Sequence, residues 1–123
     1  NADGCHLGQK DMDLIKARKI LKNKIIGVTC HNSINLANCA IEAGADYLAF
    51  GAFYPTSTKK IRHYASKDIL IWSKKNVKIP VVAIGGITNK NFIPLLDNGA
   101  NLIAISSFIW KNKNPLIAMK LFK

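Results

Sequence analysis

The sequence predicts an α/β protein of the β/α-barrel class, and three observations carry that expectation. Short apolar segments alternate with amphipathic stretches along the chain, the order of a parallel sheet covered by helices. The strand-like segments are apolar on successive residues, as strands buried on both faces are. A stretch also occurs twice. Gly44-Ala45-Asp46-Tyr47-Leu48-Ala49-Phe50-Gly51-Ala52-Phe53 matches Gly99-Ala100-Asn101-Leu102-Ile103-Ala104-Ile105-Ser106-Ser107-Phe108 in residue type, and Ala2-Asp3-Gly4 echoes its start. Each copy is a helix stop running into a strand, and recurrence on alternate strands favours a barrel over a doubly wound sheet.

The first strand is read at residues 4–8. A helix follows over residues 12–22, with Leu14, Ala17 and Leu21 on one face and Asp11 and Asp13 at its start. The second strand covers residues 25–29. Ser33 caps a helix carrying Ile34, Ala37 and Ile41, which Gly44 ends as a left-handed residue. The third strand spans residues 47–52, and Ser66 caps the next helix, with Ile69, Leu70 and Trp72 facing inward. After the fourth strand, at residues 81–84, Thr88 caps a helix that runs through Phe92 and Leu96 to Gly99. The fifth strand is placed at residues 102–106. Asn114-Pro115 opens a terminal helix, because proline fits the first helical position.

Composition narrows the function classes. The chain has 123 residues, 49% of them apolar, which suffices for one hydrophobic core and not two. No apolar run approaches the ~18 residues of a membrane span, so no membrane partner is expected. Three cysteines without CxxC spacing argue against a disulfide framework and suit a reducing cytoplasm. The net charge is +11, yet it comes from 16 Lys and only 2 Arg, spread without the Arg–aromatic interleaving of a base-reading module. Ile, Lys and Asn fill 45 of the 123 positions, a bias that an A+T-rich coding sequence produces. No nucleic-acid partner is expected, and the charge is left to attract anionic substrates.

In a parallel β/α fold the working groups lie after the carboxyl ends of the strands. Gly85-Gly86-Ile87-Thr88 is expected to lead straight into a helix, bringing backbone N–H groups and a helix N-terminus to an anion. Ser106-Ser107 ends the last strand, and a phosphate held between the final two loops is a recurrent barrel feature. Tyr54-Pro55-Thr56-Ser57-Thr58-Lys59-Lys60 offers three hydroxyls and two ammonium groups within its last five residues, which suit a phosphate or pyrophosphate. Thr29 and His31 would share a face if their strand runs on to His31. Asp11 could hold a hard cation such as Mg²⁺, or simply begin a helix. The pairs Cys5-His6 and Cys30-His31 do not make a zinc site, because alternation leaves each pair about one inward ligand.

Together these loops resemble the thiamine phosphate synthase family. Residues 3–11, Asp-Gly-Cys-His-Leu-Gly-Gln-Lys-Asp, resemble D-G-[VI]-H-L-G-Q-x-D. Ile26-Gly27-Val28-Thr29-Cys30-His31 resembles I-G-V-S-x-H, with the hydroxyl kept at Thr29. Residues 51–59 resemble G-P-[IV]-[FY]-P-T-x-T-K, with Ala52 where proline is usual. Val82-Ala83-Ile84-Gly85-Gly86-Ile87 and Ile105-Ser106 complete the series. The resemblance implies a (β/α)8 TIM barrel in which a pyrimidine diphosphate ionises, losing pyrophosphate, and a thiazole phosphate nitrogen captures the carbocation. It implies Asp11 as a Mg²⁺ ligand and Thr29 with Lys59 as holders of pyrophosphate. Thr56 and Thr58 would contact the thiazole phosphate, whose phosphate Gly86, Ile105 and Ser106, with Ser107 beside them, would position. The related TenI-type thiazole tautomerases share the strand-end histidine, here His31, and use it to move protons. Asp11 and the Thr56-Ser57-Thr58-Lys59 loop favour the synthase, since a tautomerase has no pyrophosphate to stabilise. The remaining alternative is a non-catalytic basic, anion-binding fragment.

A barrel of this class needs about 200–250 residues. The 123 residues, opening on Asn1 rather than Met, are therefore expected to be the carboxyl-terminal portion of one barrel domain, about five strands, without three strand–helix units. On that expectation the pyrimidine-binding cluster lies outside this chain, its turnover is impaired, and two open sheet edges invite self-association.

Overall fold

A computed structural model describes residues 1–56 and 64–123. Five strands form one parallel sheet: β1 (Gly4–Leu7), β2 (Ile25–His31), β3 (Tyr47–Phe50), β4 (Val81–Ile84) and β5 (Leu102–Ala104). Their order across the sheet is their order in the chain. A doubly wound sheet reverses direction at a switch point, so this sequential order is that of a barrel wall. β1 and β5 each have one strand neighbour among the described residues.

The helices are α1 (Leu14–Leu21), α2 (Ile34–Glu42), α3 (Lys67–Asn76), α4 (Ile93–Asp97), α5 (Ser107–Trp110) and α6 (Pro115–Lys120). Ser33 caps α2 as its position predicts, accepting from Leu36 N–H at 3.2 Å, and Asn114 caps α6 through Ile117 N–H at 3.1 Å. Other expectations need correction. α1 starts at Leu14 because Asp13 takes the cap, accepting from Lys16 N–H at 3.1 Å, which leaves Asp11 outside the helix. Ser66 occupies the cap position of α3 without a capping hydrogen bond, and its hydroxyl turns to Asp68 at 3.3 Å. Thr88 does not cap α4. Asn91 accepts from Thr88 N–H at 2.7 Å and donates to the Gly86 carbonyl at 3.1 Å, closing a loop, and the helix begins at Ile93 with Pro94 in its first turn. The third and fifth strands are shorter than expected, and two residues separate β5 from α5.

The core lies between one face of the sheet and the helices. Ile26, Val28 and Cys30 of β2, Leu48 and Phe50 of β3, and Val81 and Ala83 of β4 pack with Leu14, Ala17, Ala37, Ile69, Leu70 and Leu95. The opposite face is open, although apolar runs predicted strands covered on both sides. Its residues Ile25, Ile84 and Leu102 are 53%, 41% and 56% exposed. Register places Thr29, Ala49, Val82 and Leu102 side by side on this face, with Gly27 between His6 and Tyr47 one level below.

Two equivalent locks hold the amino-terminal end of the sheet. Asp46 accepts from Ile26 N–H at 2.7 Å and its own N–H donates to the Ile26 carbonyl at 2.8 Å. Asn101 does the same to Val81, with 2.8 Å for both bonds. The repeated stretch therefore encodes a strand-start staple in which an Asx side chain and its backbone clasp the preceding strand. In the first copy Arg18 joins, donating to Asp46 at 2.6 Å and to the carbonyls of Lys22, Lys24 and Gly44. These contacts hold the half-exposed Asp46 carboxyl below its ordinary pKa, through the Arg18 hydrogen bond first and the Ile26 amide second.

Candidate active site

Parallel pairing puts the carboxyl ends of all five strands at one edge, and the described candidates lie at or after those ends. After β1, Asp11 is exposed and accepts from Gly8 N–H at 2.7 Å, a bond that orients its carboxylate within the loop. β2 does run on to His31, as the shared-face reading required, but with a bulge between Thr29 and His31. His31 has a positive φ of 51° and is exposed, whereas Thr29 is half-buried. Between them Cys30 is buried, and burial pushes its thiol up to about 12, with Cys39 adding to the shift, so it stays a thiol.

Thr29 is held from two sides. Gln9 Nε2 donates to its carbonyl at 2.5 Å, and its Oγ1 lies 2.7 Å from His6 Nε2. His6 Nδ1 in turn lies 2.8 Å from Tyr47 Oη, and the two rings stack with centroids 5.5 Å apart. Tyr47 reaches His6 across β2, over Gly27. A Cβ on Gly27 would collide with the Tyr47 ring.

The loops after β3 and β4 are interlocked. Phe53 N–H donates to the Ile84 carbonyl at 3.2 Å, Tyr54 N–H to the Gly85 carbonyl at 3.1 Å, and Tyr54 Oη to the Asn91 carbonyl at 2.8 Å. Gly86 has φ 65°, and a Cβ there would meet the carbonyls of Tyr54 and Pro55. Thr56 is half-buried at the end of this joined segment; Thr58 and Lys59 lie outside the described residues. The helix expected directly after Gly86 is absent there, since α4 starts at Ile93. A short helix instead follows β5: Ser106 sits at its cap position, its carbonyl accepting from Ile109 and Trp110 N–H at 3.0 Å, and Ser107 is its first residue. Ile105 packs against the core and Ser106 is exposed.

Known proteins match this arrangement. A family profile described as "Thiamine monophosphate synthase" matches residues 1–109. The chain belongs to this family. Over 125 aligned residues it is 66% identical to a thiamine-phosphate synthase of Pelagibacter ubique, covering all of this chain and 60% of the relative. It is 50% identical to that of Marinobacter nauticus over 85% of this chain and 47% of the relative. A solved thiamine phosphate pyrophosphorylase from Pyrococcus furiosus superposes with a TM-score of 0.88 at 36% identity, over 98% of this chain and 57% of that one. The chain thus spans about half to 60% of the length of these relatives. A 3-hexulose-6-phosphate synthase, at a TM-score of 0.73 and 17% identity, shares the fold alone.

His6 and Tyr47, which the structure joins to the candidate Thr29, are not among the substrate-site candidates that the sequence offers. Along the chain, His6 stands in the Asp-Gly-Cys-His motif and reads only as a candidate metal ligand. Tyr47 was the one polar tip in an apolar strand. Their meeting depends on the register through Gly27, which spacing along the chain does not reveal. No helix among the described residues is long and apolar enough to cross a membrane.

Proposed function

We propose that the chain serves thiamine phosphate synthesis: condensation of hydroxymethylpyrimidine diphosphate with thiazole phosphate, with departure of pyrophosphate. The observation that carries this reading is a family-matched sheet with Asp11, Thr56, Gly86 and Ser106 in the segments after β1, β3, β4 and β5 and with Thr29 near the carboxyl end of β2. The reaction makes charge on a leaving group, so its catalysis is chiefly electrostatic. Thr29, fixed by Gln9 and His6, supports a hydroxyl contact to pyrophosphate, which Lys59 would share. Thr56 and Thr58 would contact the thiazole phosphate. Gly86, Ile105, Ser106 and Ser107 would receive its phosphate, through backbone amides and hydroxyls.

Mg²⁺ fits the donor that Asp11 supplies. Asp11 is a hard oxygen ligand on an exposed loop, and Mg²⁺ is commonly held by one or two carboxylates plus substrate phosphates. Among the described residues no group of three or more His, Cys, Asp or Glu gathers, so the substrate's own oxygens would complete the shell. Bound there, the cation would neutralise charge on the departing pyrophosphate.

The tautomerase reading would put proton transfer on His31, exposed at the end of β2. The Asp11 carboxylate and the hydroxyl-bearing Thr29 favour the synthase, whose leaving group needs them. Small-molecule substrates are the proposed partners, with self-association through the β1 and β5 edges. The free thiols Cys5, Cys30 and Cys39 support a cytoplasmic setting.

Calorimetry with inorganic pyrophosphate and thiazole phosphate tests the reading. Lys59→Ala is expected to weaken the first ligand and Ser106→Ala the second. Equal, small losses with a steep salt dependence throughout would identify a merely basic surface instead. The 123-residue chain alone is expected to show no synthase turnover, and ordinary turnover by the monomer would overturn that.

A further inference from the structure

Tyr47, His6 and Thr29 form a continuous hydrogen-bonded row that ends at the site. The links are 2.8 Å from Tyr47 Oη to His6 Nδ1 and 2.7 Å from His6 Nε2 to Thr29 Oγ1. With a neutral imidazole, each member has one hydrogen to give along the row, so only two polarities exist. In one, Thr29 donates to Nε2 and Nδ1–H donates to Tyr47. The threonine then shows the site only lone pairs, which repel an anion. In the other, Tyr47 donates to Nδ1, Nε2–H donates to Thr29 Oγ1, and the threonine hydrogen is left for the site.

We propose that Tyr47 and His6 are positioning residues that lock the second polarity, so that Thr29 is a committed donor to a phosphate oxygen. The choice of polarity rests on the pyrophosphate reading above; the hydrogen-bonded row itself does not. Burial lowers the His6 pKa, with Asp11 opposing, and burial raises that of Tyr47, with Cys5 adding. Both keep the ring neutral and the phenol protonated. Gly27 supplies the gap through which Tyr47 reaches the ring, since any larger residue there meets the phenol ring. A phosphate oxygen accepts and never donates, so occupancy and polarity reinforce each other.

The test is ¹⁵N NMR of the imidazole nitrogens in the full 123-residue chain, with the His6 signals assigned by their loss in His6→Gln. The Nε2–H tautomer is expected to predominate in the free protein and to be enriched by inorganic pyrophosphate. Tyr47→Phe should lower that population and weaken pyrophosphate about tenfold, the scale of one charge-assisted hydrogen bond. A predominant Nδ1–H tautomer overturns the proposal, as does a folded Tyr47→Phe chain with unchanged affinity. The wild-type spectrum decides the polarity even if that variant does not fold. A chain that binds no pyrophosphate, or a Thr29→Val variant that binds it as well as wild type, overturns the functional reading and leaves the tautomer to the ligand-free spectrum.

Discussion

The two ends of the sheet use similar polar groups for opposite purposes. At the amino-terminal end, Asp46 and Asn101 spend their side chains on backbone amides of the neighbouring strand, and Arg18 spreads its donors over three carbonyls and a carboxylate. Their partners are all within the protein. At the carboxyl-terminal end, Asp11 and Thr29 are also held by hydrogen bonds, but Asp11 is exposed with one oxygen bound to Gly8 N–H, and in the proposed polarity Thr29 keeps its hydrogen for a ligand. Polarity alone therefore does not mark a site. What marks it is a polar group whose own partners leave it unfinished.

Substitutions at the two ends should separate stability from binding, and the largest effect belongs where both meet. Gly86→Ala forces a side chain into positive φ and against the Tyr54 and Pro55 carbonyls, so about 2–3 kcal/mol of stability should be lost in urea titration. The folded remainder should bind thiazole phosphate poorly. Next, Asp46→Ala strands the Ile26 amide and should cost about 2 kcal/mol, discounted for screening of the half-exposed Arg18 pair, with pyrophosphate affinity unchanged. Asp46→Asn imitates Asn101, keeps the staple, and should cost less than about 1 kcal/mol. If the two variants are equally unstable, the staple is not what the repeat encodes.

Thr29→Val reverses the pattern: pyrophosphate affinity should fall about tenfold in calorimetry while the unfolding midpoint barely moves. The smallest effect is on pH dependence. The folded Asp46 pKa lies below its unfolded value of about 3.9, so its contribution is complete above that pH and lost as pH falls through the folded pKa. The stability gap between wild type and Asp46→Asn should therefore close in acid. A gap that persists fully at pH 2 would show that the carboxylate charge contributes nothing.

Much of this was legible in the sequence because it is local. Strand and helix order, the Ser33 and Asn114 caps, and the strand-end hydroxyls all follow from patterns within a few residues. Where neighbours compete, single-residue signals failed. Asp13 outcompeted Asp11 for the α1 cap, and Pro94 with Asn91 displaced the α4 start from Thr88. The repeat was visible, but its reason was not, since a staple to the previous strand needs the register. The His6–Tyr47 row was hidden for the same cause. Apolar strands suggested a sheet covered on both sides, yet an apolar residue facing a barrel interior reads the same as one facing a helix, and Ile25 and Leu102 are open here.

The interlock of Gly85, Gly86 and Asn91 with residues 53–55 has a consequence for how such sites diversify. Two loops that share backbone bonds behave as one inherited unit. A change that enlarges one must be matched in the other, so the two loops are expected to change by paired steps. A chimera that imports either loop alone from a distant barrel brings a shape its neighbour was never fitted to, whereas the two transplanted together carry their fit with them.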